Sequence, residues 1–117
     1  MSDIQRAHVG PRYSECSAYG GIVFLAGQVA SAAAGDIRAQ TSEVLSNIDR
    51  LLAEAGSGKT RILMAQIFLS DMKDYGAMNE VWDAWVVPGN TPSRATVQAQ
   101  LARPEWKIEI VVTAACA

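Results

Sequence analysis

The chain has 117 residues, 50% of them hydrophobic and 19% charged, with a formal net charge of -2. That size and balance suit one folded domain spanning residues 1–117 and exclude a disordered chain. The acidic balance argues against phosphate-backbone binding as the main task, since that needs a cationic face. Two widely spaced cysteines and a single histidine, His8, offer no disulfide framework and no metal set. Met1 to Arg6 lack an apolar leader segment, and no apolar run reaches membrane-spanning length. The expectation is a cytoplasmic domain with no membrane partner.

In chain order, residues 3–9 read as a first strand ending at Gly10-Pro11. Tyr13 to Tyr19 and Ile22 to Ala26 flank Gly20-Gly21, a dipeptide suited to a tight hairpin turn. A small-residue loop covers Ala30 to Gly35. Asp36 then offers an N-cap for a helix running to Ala55, with Val44, Leu45, Ile48, Leu51 and Leu52 on one stripe and Gly56 as its stop. Gly56-Ser57-Gly58-Lys59-Thr60 has the tail of a phosphate-binding loop, but it follows a helix and leads into a strand, the reverse of what that loop requires.

Ile62 to Leu69 reads as a central strand, with Ile62, Met64 and Phe68 on one face and Leu63, Ala65, Ile67 and Leu69 on the other. Both faces are apolar. Asp71 and Asp74 precede a second helix through about Val86, whose stripe is Tyr75, Met78, Val81, Trp82 and Trp85. Asn79 falls outside that stripe. The order of elements predicts an α+β fold in which two helices cover one sheet face and the other face meets another copy.

The last two strands carry the chemistry. Arg94, Thr96, Gln98 and Gln100 alternate with Ala95, Val97, Ala99 and Leu101, and Glu109 shares a face with Val111. A guanidinium and a carboxylate on partly buried faces are costly unless paired or used. They could be a structural ion pair or the start of a site for a small organic acid. A hairpin turning near residues 103–105 would leave Arg94 on the order of 16 Å from Glu109 along the strand. On that register both lie on one face and converge only if a neighbouring subunit supplies one of them.

Several segments together resemble the RidA/YjgF family of enamine/imine deaminases. They are Pro11-Arg12-Tyr13-Ser14, Val23-Phe24-Leu25-Ala26-Gly27-Gln28, Gln40-Thr41, Ile67-Phe68-Leu69-Ser70-Asp71-Met72, Met78-Asn79-Glu80-Val81-Trp82, Pro92-Ser93-Arg94-Ala95-Thr96-Val97 and Lys107-Ile108-Glu109-Ile110. The run from Trp82 to Gly89 looks like the YoaB-like branch. The resemblance implies a chorismate-mutase-like fold, a homotrimer with clefts between subunits, and hydrolysis of 2-aminoacrylate or its imine to a 2-keto acid and ammonia, with no metal or organic cofactor.

By that resemblance Arg94 clamps the substrate carboxylate and Glu109 positions the attacking water, while Tyr13 and Gly27 line the cleft. Thr96, which stands where the family often has a cysteine, and Asn79 complete the set of substrate-contact candidates. Two alternatives compete: a non-enzymatic, regulatory binder of small carboxylates, and the endoribonuclease or translation-inhibitor activity with which family members are labelled.

Overall fold

A computed structural model describes residues 3–31 and 35–117, so most of the small-residue loop after Ala30 lies outside the described residues. These residues form six strands, β1 (Gln5–Val9), β2 (Ser14–Tyr19), β3 (Ile22–Leu25), β4 (Ile62–Leu69), β5 (Ser93–Gln98) and β6 (Ile108–Ala115). Two helices, α1 (Ile37–Glu54) and α2 (Tyr75–Trp85), pack against one side of the resulting sheet.

Local chemistry explains the boundaries. Gly20 and Gly21 take φ of 60° and 81°, the left-handed pair that closes a two-residue hairpin between β2 and β3. The Asp36 carboxylate caps α1 by accepting from the Ala39 N–H at 2.9 Å. At the other end Gly56 (φ 76°) turns the chain, its N–H reaching the Ala53 carbonyl and that of Ser57 the Leu52 carbonyl. That glycine is therefore a helix stop, in keeping with rejection of the phosphate-loop reading. Asp71 caps a single 3₁₀ turn, Met72–Asp74, which leads directly into α2.

The sheet order is β1-β2-β3-β6-β4-β5. This corrects the expected hairpin of β5 with β6: β4 lies between them, parallel to β5 and antiparallel to β6. The α2 crossover supplies the parallel connection. Ala65, Ile67 and Leu69 of β4 align with Val112, Ile110 and Ile108 of β6 beneath the helices, all buried. Val44, Leu45, Ile48 and Leu52 of α1, with Met78 and Trp82 of α2, complete this core.

A second correction concerns β4. A bulge between Ile62 and Met64 moves Leu63 to the outside and leaves Ile62 buried with Ala65 and Ile67. Strict alternation assigned those two residues the other way round. The face away from the helices carries Phe24, Met64, Phe68 and Val97; Phe24 is 51% exposed, Met64 41% and Val97 47%.

Candidate functional site

Arg94 pairs in register with Ala65, so its side chain rises from the helix-covered face at the β5 edge. There it meets α2. Arg94 Nη1 donates to Asn79 Oδ1 at 2.9 Å, and Nη2 donates to the Tyr75 hydroxyl at 3.2 Å. The guanidinium carbon sits 5.2 Å from the Trp82 ring centroid and 5.9 Å from that of Tyr75. Tyr75, Asn79 and Trp82 are spaced i, i+4, i+7, so one helix face holds all three against the same cation. Asn79 thus belongs beside the aromatic stripe, where the reading of α2 from sequence had set it apart.

No ion pair among the described residues involves Arg94 or Glu109. The guanidinium is oriented by neutral partners, with its charge uncompensated and further N–H donors to offer. Two residues along the same face, the Thr96 hydroxyl is buried without a hydrogen-bond partner among the described residues. A buried hydroxyl without a partner on the face that carries an unpaired cation is a polar feature that the packing of this chain does not account for.

Glu109 belongs to the other side of the sheet. It aligns with Phe68, which aligns in turn with Val97. The carboxylate lies against Gly27, where a Cβ would overlap it. Any larger residue at 27 would displace the Glu109 carboxylate from this position. Gln28 pairs with Ile110 through two backbone hydrogen bonds of 2.8 and 3.1 Å, and the Ala26 N–H donates to the Glu15 carbonyl, so Gly27 is fixed from both sides. Tyr13, 64% exposed, shares with Glu15, Gly27 and Gln28 the wall of a cavity of about 450 Å³.

Arg94 and Glu109 therefore stand on opposite faces of one chain, which corrects the expectation of a shared face. The candidates fall into two groups, Arg94 with Asn79 and Thr96, and Glu109 with Gly27 and Tyr13. Sequence reading missed Tyr75 and Trp82 as holders of Arg94, although their spacing from Asn79 was a usable signal. It also missed buried Gln40: its Nε2 donates to the Gly35 and Glu105 carbonyls, and its Oε1 accepts from the Lys107 N–H. Those bonds tie the start of β6, and with it Glu109, to α1. Among the described residues no group of His, Cys, Asp or Glu could hold a metal ion, and no helix is long and apolar enough to cross a membrane.

Comparison with known proteins bears on this arrangement. The family model for endoribonuclease L-PSP, the YjgF/RidA family, matches residues 4–116. The chain belongs to the RidA/YjgF family. It is 50% identical to a RutC family protein of Haemophilus ducreyi over 96% of each chain. It is 53% identical to the RutC family protein YoaB of Escherichia coli over 65% of this chain and 67% of that one, in line with the branch suggested by the Trp82 to Gly89 run. The crystal structure of NMB1025, a YjgF family member from Neisseria meningitidis, superposes with a TM-score of 0.96 at 50% identity, covering 98% of this chain and 96% of that one. The chorismate-mutase-like architecture expected from the sequence is thereby established.

Proposed function

We propose that this protein hydrolyses reactive 2-imino acids, of the 2-aminoacrylate/2-iminopropionate type, to 2-keto acids and ammonia in clefts between the subunits of a homotrimer. The observation that carries this reading is the unpaired Arg94 guanidinium, held ready by Asn79, Tyr75 and Trp82 next to the orphaned Thr96 hydroxyl. A carboxylate seated on it gains a charge-assisted, two-point contact. The half-exposed apolar face around Phe24, Met64 and Val97 supplies a surface for a second copy. Because the two point apart within a chain, this reading requires Glu109 of one chain to meet Arg94 of another at the β5 edge.

The chemistry follows from those groups. The enamine first tautomerises to the imine. Arg94 fixes the substrate carboxylate, which places the imine carbon near a water held by Glu109. Glu109 accepts a proton as the water oxygen bonds to that carbon, giving a tetrahedral amino alcohol. That proton passes to the imine nitrogen to complete the amino alcohol. The hydroxyl proton then moves to the same nitrogen as the C=O bond forms and the C–N bond breaks, and ammonia leaves with the 2-keto acid. One imine and one water give one keto acid and one ammonia.

A non-enzymatic carboxylate sensor would need the Arg94 clamp but not Glu109. Ammonia release from enzymatically generated 2-aminoacrylate, measured with the natural protein and with Glu109→Ala, separates the two. Deamination requires a drop of about 100-fold in the variant, the usual range for losing a positioned general base. Ammonia release no faster than in buffer, with 2-keto acid binding intact, would identify the sensor. The ribonuclease label finds no support in a net charge of -2.

A further inference from the structure

The connection from β5 to β6 presents a second cation beside the Glu109 half of the site. Arg103 and Trp106 flank a turn closed by the Trp106 N–H donating to the Arg103 carbonyl at 3.2 Å. The guanidinium of Arg103 stacks on the Trp106 ring, 5.6 Å from its centroid. The ring is pinned in turn, its indole N–H donating to the Ala30 carbonyl at 3.1 Å, and Gln40 holds the same connection through Glu105 and Lys107. Arg103 is thus a cation on a fixed platform, with no ion-pair partner among the described residues.

Arg103 and Trp106 line the cavity of about 450 Å³ that Tyr13, Gly27 and Gln28 also line. Gly27 is common to that cavity and to the Glu109 carboxylate. A substrate whose imine carbon sits at Glu109 lies against Gly27, which also walls this cavity, so the cavity is the adjacent space for its side chain. We propose that Arg103 is a specificity residue that selects 2-imino acids bearing a second carboxylate at the end of the side chain. This rests on the functional reading above.

The platform matters because an arginine already laid on an aromatic ring loses less freedom when it binds an anion. A carboxylate suits the cavity better than a dianionic phosphate. Glu15 shares the wall, with only its Oε1 engaged by Gln28 Nε2 at 3.0 Å, and would repel the larger charge. One guanidinium then faces one added carboxylate, with Glu15 setting an upper limit on the charge admitted.

The test is calorimetric binding of two product-like probes, 2-oxoglutarate and 2-oxopentanoate, which differ by a terminal carboxylate in place of a methyl. The natural protein should bind the dicarboxylate at least about tenfold more tightly, a ratio expected for one charge-assisted contact. Arg103→Ala should bring the ratio to about one, and Arg103→Lys should keep part of it because the charge survives without the planar fork. Circular dichroism of each variant verifies folding. A ratio near one in the natural protein, or a ratio that survives in folded Arg103→Ala, overturns the proposal. Tight dicarboxylate binding without accelerated ammonia release would overturn the deaminase reading and leave this one standing; failure to bind either probe overturns both.

Discussion

On the covered face of the sheet, Ala65, Ile67 and Leu69 of β4 are fully buried beneath two helices, whereas on the opposite face Phe24, Met64 and Val97 remain about half exposed. Both faces are apolar in sequence, so composition does not separate them; the distribution of helices does. Each face also carries one member of the candidate pair, Arg94 on the covered side at the sheet edge and Glu109 on the open side. A site that needs both is incomplete in one chain. On the proposed reading, a second copy of the chain would complete both the half-covered face and the half-built site.

The comparison is broken most directly by charging the open face. Phe24→Lys or Met64→Lys would place an ammonium where apolar contact between copies is expected, and burying it unpaired is prohibitive. The expected outcome is conversion from the proposed trimer to monomer at micromolar concentration by light scattering, with the circular dichroism spectrum kept and the proposed ammonia release lost. A monomeric natural protein would mean that the open face is not an interface.

Arg94→Ala comes next in size. The residue is half-buried at an edge and its partners are neutral, so the fold should survive. Loss of a charge-assisted carboxylate contact should lower kcat/KM by about 100-fold or more. Near-normal turnover in a folded variant would show that the substrate carboxylate is held elsewhere.

How much of this was legible in the sequence varies with the range of the interaction that decides it. The Gly20-Gly21 turn, the Asp36 cap, the Gly56 stop and the alternation of β6 are set by neighbours in the chain, and each was read correctly. The hairpin of β5 with β6 was not, because insertion of β4 between them is a choice of tertiary pairing that no local pattern records. Alternation showed which residues of β5 share a face, but which face that is depends on the partner strand. The bulge at Leu63 escaped for a related reason: one extra residue inverts the alternation, and the apolar run Ile62-Leu63-Met64 looks the same in either phase. Arg94 and Glu109 stood out as charges in strands, whereas Tyr75 and Trp82 resemble ordinary core aromatics and only their spacing from Asn79 marks them out.

A subtler effect follows from the opposed faces themselves. If each cleft draws Arg94 from one chain and Glu109 from another, equal amounts of Arg94→Ala and Glu109→Ala chains refolded together should regain activity. With random assortment about a quarter of the clefts receive both intact residues, so activity should return to about a quarter of the natural level. Mixtures as inactive as either parent would show that each cleft takes both residues from one chain.

The smallest expected effect concerns a tie on the covered side alone. The edge strand β1 bends at His8, whose φ is 53°, and the imidazole Nε2 lies 2.7 Å from Glu54 Oε1 near the end of α1. The hydrogen bond from His8 is the main cause that holds the Glu54 carboxyl below the ordinary value of 4.5; the charges of His8 and Arg50 add to it against a desolvation cost. A carboxyl lowered on folding contributes its stability in full above the unfolded value, and loses it as the pH falls through the lower folded value. Glu54→Gln should therefore show a slightly lower Tm than the natural protein from pH 5 to 6. The gap should close as the pH drops below 4.5, because protonation removes the carboxylate that the variant lacks. Since the pair is exposed, the difference should be small, and it should leave the assembly state unchanged. A gap that persisted unchanged to pH 3 would mean that Glu54 acts through packing and not through its charge.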